Sequence, residues 1–215
     1  MINQKIIKIL GNALHEKTVR ETNNFLLSKE LPWYFSQTSL SSGSDTVDNA
    51  ESPTFWKSEF NLLENKIISN LWNQIYTTLQ SEQIIDNQNI EVLRVYANGQ
   101  TYGLDGTIHK DESKPGHYTV LYYAVNYTWD KNWQGETIFY DDNEEQVIAV
   151  CKPKRNSFVF FDSRIPHVGM SPSKQYNGLR VTLAFKLRVN WNNCKLIFIN
   201  EYIQHFTIHN SVIRE

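Results

Sequence analysis

The sequence lacks several features that would point to particular classes of protein. Its 215 residues include only two cysteines, Cys151 and Cys194, too few for the disulfide framework of a small secreted domain. No apolar run approaches the roughly 18–20 residues that a transmembrane helix requires. The N-terminal residues also lack the apolar core and cleavage site of a signal peptide. These absences predict reduced thiols, no membrane association and a cytoplasmic location.

An excess of basic residues is also missing. Lysine and arginine number 21 against 23 acidic residues, for a net charge of -2, so non-specific attraction to nucleic-acid phosphates is not favoured. Aromatic residues make up 13% and charged residues 20% of the chain, a composition typical of packed globular domains. We therefore predict a single domain over residues 1–215 that does not bind nucleic acid.

The hydrophobic pattern changes near residue 90. Before it, residues 6–10 predict a short strand or helix, residues 16–29 a helix, and 61–80 an amphipathic helix with apolar steps of three and four. The stretch 39–53 is rich in Ser, Asp, Asn and Gly and predicts an exposed, mobile loop. After it, short β-branched and aromatic runs predict strands at 91–97, 107–110, 118–127, 136–140, 146–151, 157–161, 167–170 and 179–189. A last apolar segment, 195–206, predicts an edge strand or a covering helix.

Eight short strands without intervening helices indicate a sandwich or jelly roll. We therefore predict an α+β fold with a double-stranded β-helix (jelly roll) core and N-terminal helices packed on one of its sheets. In this scheme residues 1–89 form the helical support, residues 90–189 the jelly-roll catalytic core and residues 190–215 a C-terminal extension.

Three residues of the core have the pattern of a metal site. Side chains two residues apart on a strand point to the same side, so His109 and Asp111 can meet one ion. His167 follows Asp111 by 56 residues, after an apolar strand. Two imidazoles and one carboxylate form the facial triad of non-haem Fe(II) oxygenases, which leaves positions for a 2-oxo acid and O2. An isolated His-x-Asp is a weak signal, and the later histidine and strand pattern strengthen it.

Arg180 follows His167 by 13 residues and opens an apolar strand. A guanidinium there can grip the distal carboxylate of 2-oxoglutarate in two-pronged fashion, and that carboxylate would be costly to bury unpaired. Thr182 lies on the same face of the strand and can donate its hydroxyl. An exposed strand charge is the alternative interpretation of Arg180.

Residues 91–189 resemble the prolyl-hydroxylase-like branch of the 2-oxoglutarate/Fe(II) dioxygenases. The matching stretches are EVLRVYANGQTYGLDGTIHKD, YTVLYYAVNYTWDKNWQGETIFYDD, KPKRNSFVFFDSRIPHVGM and LRVTLAFKL. The resemblance implies that His109, Asp111 and His167 bind Fe(II) and carry catalysis. It implies that Arg180 anchors 2-oxoglutarate, with the spacing of the oxygen-sensor type of prolyl hydroxylase, where the collagen type usually has lysine.

The resemblance also implies finer roles. Tyr123 matches a tyrosine that supports the cosubstrate carboxylate, but the segment 122–126 is one residue longer than usual, so Tyr122 is an alternative. Tyr96 matches a tyrosine facing the iron end of the pocket, and its alternative is an ordinary core aromatic. The implied reaction hydroxylates a substrate C–H bond with O2 and converts 2-oxoglutarate to succinate and CO2, with ascorbate as the reductant.

The sequence gives weaker indications of the substrate than of the metal site. Tyr102 and Trp129 lie in segments expected at the cavity mouth, where aromatics can hold a proline-containing protein or peptide. Arg164 is a candidate contact to a substrate carbonyl or acidic group, or an exposed loop arginine. One alternative is the same chemistry on a small molecule or free amino acid, which predicts an enclosed pocket with extra charges. The other is a non-catalytic, cupin-like binding module.

Overall fold

The structure is a computed structural model that describes residues 5–37, 54–85 and 90–189. The predicted loop at 39–53, the C-terminal extension at 190–215 and its apolar segment 195–206 lie outside the described residues. Neither helix in the described ranges combines the length and the apolar character required to cross a bilayer.

The described residues form ten strands, two α-helices and one short 3-10 helix at Lys131–Trp133. In chain order the elements are β1 (Ile7–Gly11), α1 (Glu16–Leu26), β2 (Tyr34–Gln37), β3 (Thr54–Phe60), α2 (Lys66–Ser81), β4 (Ile90–Gln100), β5 (His117–Ala124), β6 (Thr137–Tyr140), β7 (Val147–Cys151), β8 (Ser157–Asp162), β9 (His167–Gly169) and β10 (Arg180–Val189).

The strands build two antiparallel sheets that face each other. The larger, which we call the major sheet, has the order β1-β8-β5-β10-β4-β3-β2, and the minor sheet has the order β7-β6-β9. In the major sheet β10 pairs with β4 on one side and with β5 on the other. This arrangement confirms the predicted α+β jelly roll.

Both helices cover the outer face of the major sheet, as predicted. α2 starts at the Asn65 cap, whose side chain accepts a hydrogen bond from the Ile68 amide at 3.1 Å, and this cap explains a start later than residue 61. Its buried side chains recur at helical spacing, and Trp72 packs on Phe185 of β10 with ring centroids 5.2 Å apart. Burying each such side chain contributes about 1.5–3 kcal/mol, so the apolar stripe fixes the helix on the sheet.

Apolar and polar side chains alternate along β10 and point to opposite faces of the major sheet. Val181, Leu183 and Phe185 join the apolar cluster beneath the helices. Arg180 and Thr182 point the other way and line a cavity between the two sheets. Arg180 and Thr182 of β10 therefore lie inside the jelly roll, where they can contact a molecule bound in the cavity.

Several sequence predictions are wrong at the level of elements. The 1–89 region contains the two helices and also three strands of the major sheet, of which only a strand or helix at residues 6–10 was predicted. The predicted strand at 107–110 is absent, because its only pairing is a single backbone bridge between His109 and His167. Strand β5 ends at Ala124 instead of residue 127, because the Val125 carbonyl turns to accept a hydrogen bond from Asn23 of α1 at 2.6 Å.

Candidate active site

The predicted metal ligands converge although they lie far apart in sequence. The His109 amide donates to the His167 carbonyl at 3.0 Å, and the reverse hydrogen bond is 2.9 Å. This bridge brings the two imidazole centroids to 4.5 Å. The Nε2 atoms of His109 and His167 lie 3.5 and 3.6 Å from the two carboxylate oxygens of Asp111. One ligand atom from each residue lies within 4.8 Å of the others, which groups them around one ion.

Both imidazole rings are oriented by backbone carbonyls two residues earlier. Nδ1 of His109 lies 2.8 Å from the Thr107 carbonyl, and Nδ1 of His167 lies 2.9 Å from the Ile165 carbonyl. Since a carbonyl can only accept, each Nδ1 carries a proton, and Nε2 of the neutral ring presents a lone pair to the shared centre. The arrangement therefore exposes the coordinating tautomer of both rings.

The protonation state of His167 also favours metal binding. Burial lowers the pKa of His167 to about 4, so this ring is neutral near pH 7. Burial also opposes the charged form of His109, but its hydrogen bond and ion pair with Asp111 outweigh burial and raise its pKa above the ordinary value. A metal ion therefore competes with a proton at His109 and not at His167.

Asp111 is held as an ionised, oriented ligand. Thr119 donates its hydroxyl to Oδ2 of Asp111 at 2.6 Å, and the Lys186 ammonium forms an ion pair with the same oxygen. Burial opposes ionisation of Asp111, but the neighbouring charges of Lys186 and the two histidines hold the pKa of its carboxyl well below the ordinary value. Two neutral imidazoles and one supported carboxylate fit Fe(II) with positions left open.

Arg180 is a buried cation without an acidic partner. The side chain is only 3% exposed, and its guanidinium donates to the Gly135 carbonyl at 2.6 Å, Gln100 Oε1 at 2.5 Å and Thr137 Oγ1 at 3.3 Å. No carboxylate of the described residues forms an ion pair with it. A buried charge without a counter-charge is costly, so the guanidinium fits a ligand carboxylate.

Gly135 makes room for that guanidinium. It has φ +86°, and a Cβ there would lie 3.2 Å from Cδ and 3.3 Å from Nε of Arg180. Any other side chain would be strained at this φ and would press on the arginine. The glycine therefore permits the backbone carbonyl to reach Nε of Arg180.

One cavity of about 420 Å³ contains both ends of the site. Its lining includes the three metal ligands, Arg180, Thr182 and Tyr96. Asn98, on the same face of β4 as Tyr96, also lines the cavity, and its buried Oδ1 has no partner. Ligand pockets commonly measure about 300–1,000 Å³, so this one has the volume for a small dicarboxylate and part of a second molecule.

The structure separates the two adjacent tyrosines of β5. Tyr122 faces the helices, where its hydroxyl donates to Asn23 Oδ1 at 2.7 Å. Tyr123 faces the interior, with its hydroxyl 2.8 Å from Thr137 Oγ1 and its ring centroid 5.7 Å from the Arg180 guanidinium carbon. Only Tyr123 lies beside the Arg180 end of the cavity.

The residues predicted to contact substrate are not among those that line the cavity. Tyr102 is 64% exposed in the loop after β4. Trp129 packs with Trp133 and Tyr176, and its Nε1 donates to the Gln134 carbonyl at 2.7 Å, near the Arg180 end of the cavity. The Arg164 guanidinium is held by Asp162, with Nε 2.9 Å from Oδ1 and Nη2 2.6 Å from Oδ2. Their substrate roles stay predictions.

Sequence reasoning missed four polar residues of this cavity. Gln100 and Thr119 support Arg180 and Asp111, Asn98 presents an unpartnered oxygen, and Lys186 lies beside the metal ligands. The alternation that placed Thr182 on the face of Arg180 also places Lys186 there. The same alternation puts Asn98 and Gln100 on the face of Tyr96, so the signal was present in the strand pattern.

A jelly roll that positions two histidines and one carboxylate beside a cavity defines a mononuclear metal site of the oxygenase type. The sequence profile of the 2OG-Fe(II) oxygenase superfamily matches residues 92–187, a segment that contains the three ligands and Arg180. Residues 92–187, the core of the chain, are therefore those of a 2OG-Fe(II) oxygenase. Iron and 2-oxoglutarate are accordingly the cofactor and cosubstrate of the site.

Solved structures share the fold at low sequence identity. A prolyl hydroxylase from Trichoplax adhaerens, solved with a peptide fragment of the hypoxia inducible factor oxygen degradation domain, has a TM-score of 0.64 and 18% identity over 85% of this chain and 83% of that chain. The viral collagen prolyl hydroxylase of Paramecium Bursaria Chlorella virus-1, in complex with 2-oxoglutarate, has a TM-score of 0.58 and 17% identity over 87% and 98%. SnoN, an alpha-ketoglutarate-dependent epimerase from nogalamycin biosynthesis, has a TM-score of 0.57 and 12% identity over 84% and 76%. No curated protein sequence matches the chain. Since hydroxylases and an epimerase share this fold, the fold does not fix the reaction.

Proposed function

We propose that this oxygenase hydroxylates a prolyl residue in a protein or peptide, with decarboxylation of 2-oxoglutarate to succinate and CO2. The observation that carries the oxygenase chemistry is one cavity with a metal-binding triad and, at its other end, a buried guanidinium without a carboxylate partner. A dicarboxylate can chelate a metal held by the triad with one end and pair with the Arg180 guanidinium with the other.

The residues of the chain have distinct tasks in this proposal. His109, Asp111 and His167 hold Fe(II), which when bound supplies the redox chemistry with O2. Arg180 orients 2-oxoglutarate by its distal carboxylate, because a guanidinium fork binds a carboxylate through two hydrogen bonds. Tyr123 adds a hydroxyl at the same end. Arg180 and His167 are buried, and electrostatic interactions are stronger away from bulk water.

The prolyl substrate rests on two supports. The first is the likeness of the core to prolyl hydroxylases, one of which was solved with a peptide fragment. The second is apolar surface at the cavity, whose lining includes the aromatic side chains of Phe55 and Phe161. Aromatic surface of this kind suits the flat, apolar ring of proline.

A second candidate substrate is a small anionic molecule or free amino acid. The specific observation in its favour is the Lys186 ammonium in the cavity. An extra, partly buried charge beside the iron ligands is expected of a pocket that recognises a small charged compound.

Turnover of 2-oxoglutarate tests the oxygenase assignment. The purified protein with Fe(II) and ascorbate, the proposed reductant, is expected to form succinate from 2-oxoglutarate, and more of it when substrate is present. The His109→Ala variant should lose this activity, because one of three ligands is gone. The His15→Ala variant, which removes an exposed histidine outside the cavity, is the matched control.

Mass spectrometry tests the substrate. Host-lysate proteins incubated with enzyme, Fe(II), ascorbate and 2-oxoglutarate should gain one oxygen atom at specific prolines. Succinate formation without any modified proline, together with an oxidised small molecule in the same lysate, would favour the second candidate. No 2-oxoglutarate turnover under either condition would contradict the oxygenase assignment itself.

A further inference from the structure

Lys186 is a partly buried cation at the metal end of the cavity. Its ammonium pairs with Oδ2 of Asp111, lies 3.3 Å from Thr119 Oγ1 and 5.7 Å from the Tyr96 ring centroid, and its side chain is 19% exposed. Asp111 is its only carboxylate partner among the described residues. The charge of Lys186 is therefore balanced by a group that also belongs to the metal site.

Binding of a divalent metal ion removes the charge balance between Lys186 and Asp111. A bound divalent ion is the largest local charge in a site, and the single negative charge of Asp111 cannot neutralise both this ion and the Lys186 ammonium. The two carboxylates of 2-oxoglutarate are engaged elsewhere in the proposed complex, one at the metal and one at Arg180. Lys186 then faces a divalent cation at close range, and a further anion nearby would offset the repulsion.

The surrounding charges do not supply this anion. Tyr96 is flanked by three cations, with Arg94 4.8 Å, Lys57 5.4 Å and Lys186 5.7 Å from its ring centroid. Arg94 and Lys57 share one carboxylate, Glu59, whose pKa is lowered to about 2 by those two hydrogen bonds. Two cations against one carboxylate leave positive charge beside the ring.

The cavity as a whole has the same sign. Four cationic side chains and two carboxylates line it: Arg94, Lys110, Arg180 and Lys186 against Asp111 and Glu112. The two positive charges of Fe(II) and the two negative charges of 2-oxoglutarate cancel, so the loaded cavity keeps this positive excess. A substrate without a carboxylate would leave Lys186 without a further anion, and a substrate carboxylate placed beside Lys186 offsets the positive charge there.

We propose that the substrate carries a carboxylate, and that Lys186, flanked by Tyr96 and Thr119, binds this carboxylate beside the iron. The proposal rests on the proposed oxygenase function and adds the charge of the substrate to it. The carboxylate belongs either to a free amino acid or to an acidic side chain next to the modified residue of a peptide. Both sources present the same chemistry to Lys186.

Binding to the loaded, non-reacting enzyme tests the proposal. Calorimetry is done on protein loaded with Mn(II) and 2-oxoglutarate without oxygen, with probes matched in shape and different in charge. L-proline against L-prolinamide represents the free amino acid. Acetyl-Ala-Pro-Glu-amide and acetyl-Glu-Pro-Ala-amide, each against its glutamine counterpart, represent the peptide.

The carboxylate-bearing member of one kind of pair should bind about tenfold or more tightly than its amide counterpart, as a charge-assisted hydrogen bond implies. Lys186→Gln should abolish this preference and Lys186→Arg should retain it. Lys114→Gln, which removes an exposed lysine outside the cavity, should leave it unchanged. The kind of pair that shows the preference identifies the source of the carboxylate.

Other results separate the alternatives. Equal affinity within every pair, no measurable binding of any probe, or a preference that survives Lys186→Gln overturns the proposal. If Lys186 only orients Asp111, Lys186→Gln weakens Mn(II) binding and leaves the charge preference of the probes intact. If Lys186→Gln does not fold, the proposal is decided by the affinities of the matched probes for the wild-type protein and for Lys186→Arg. Failure of the proposed oxygenase function is seen separately, as no binding of 2-oxoglutarate to the Mn(II)-loaded protein.

Discussion

Replacing Arg180 by methionine should abolish the stabilisation that 2-oxoglutarate gives to the folded protein. The side chain is buried, donates three hydrogen bonds to Gly135, Gln100 and Thr137, and has no acidic partner in the described ranges. Methionine keeps much of the volume and removes the charge. The distal carboxylate of 2-oxoglutarate would then be buried without a counter-charge.

The size of the effect follows from the loss of one partner of a buried pair. Such a loss costs about 3–5 kcal/mol, and every 1.4 kcal/mol or so is tenfold in affinity. The dissociation constant for 2-oxoglutarate should therefore rise by roughly two to four orders of magnitude. At a concentration of about 100 times the wild-type dissociation constant, the ligand stabilises the wild type by about 2.7 kcal/mol. A variant bound at least a hundredfold more weakly gains about 0.4 kcal/mol or less.

Thermal unfolding of the Mn(II)-loaded protein measures this difference. One kcal/mol shifts Tm by about 2–4 °C in a domain of about 150–250 residues. The wild type should therefore gain about 5–11 °C with 2-oxoglutarate, and Arg180→Met about 2 °C at most. The ligand-induced shift is the useful quantity, because methionine also leaves Gln100 and Thr137 without a donor and changes the ligand-free Tm.

Arg188→Met is the matched control for this experiment. Arg188 lies on the same strand, but it is about half exposed and pairs with Glu91 on the surface, where an ion pair contributes little. Its ligand-induced shift should equal that of the wild type. Arg180→Lys keeps the charge without the fork and should give an intermediate shift. A full shift in Arg180→Met would refute the role of Arg180.

Three further predictions follow from the site. Mn(II) affinity should fall about tenfold for each pH unit below the raised pKa of His109, because the metal binds only the deprotonated ring and must displace one proton. His167, with a pKa of about 4, adds no second proton near neutral pH, so a two-proton slope by calorimetry would contradict its neutral state. Tyr122→Phe should lower the free energy of unfolding in urea by about 1–3 kcal/mol, because it leaves a buried Asn23 oxygen unpaired, without changing 2-oxoglutarate affinity. Tyr123→Phe should weaken 2-oxoglutarate binding by calorimetry, and an unchanged affinity would remove Tyr123 from the cosubstrate site.

The parts of the site that follow strand geometry were predictable from the sequence. Arg180 and Thr182 lie two residues apart on an apolar strand, and alternation placed them on one face. The pair His109 and Asp111 does share one side, but not within a strand. The extended backbone at His109 is held by one bridge to His167, a contact between residues 58 positions apart that no local pattern reveals.

The choice between Tyr122 and Tyr123 shows what a sequence pattern leaves open. Adjacent residues of a strand point to opposite faces, so one tyrosine must face the helices and the other the cavity. Both faces of β5 are buried, by α1 on one side and by the minor sheet on the other. The strand therefore lacks the alternation of polar and apolar residues that would show which tyrosine faces the cavity. Only the tertiary structure shows which partner each hydroxyl has.

Lys186 was overlooked for a different reason. A lysine near the end of a strand ordinarily reaches solvent with its long side chain, so its chemistry gives no sign of burial. What buries it is the pairing of β10 with β4 and β5, which places it between Tyr96 and Thr119. Counting in steps of two along the strand from Arg180 identifies Lys186 as an interior residue. Its residue type alone would predict a position on the surface.

The two ends of the cavity differ in what holds them before any ligand binds. At the metal end, backbone carbonyls fix both imidazoles, and Thr119 and Lys186 fix Asp111. These contacts orient the ligands in advance, so little ordering opposes metal binding. At the other end, Arg180 has neutral acceptors only, and its charge is uncompensated until a carboxylate arrives. Because the metal end is already organised, the free energy of 2-oxoglutarate binding should come mainly from pairing its carboxylate with the Arg180 charge. The stabilisation that the ligand gives should therefore depend on Arg180 more than on Thr119 or Lys186.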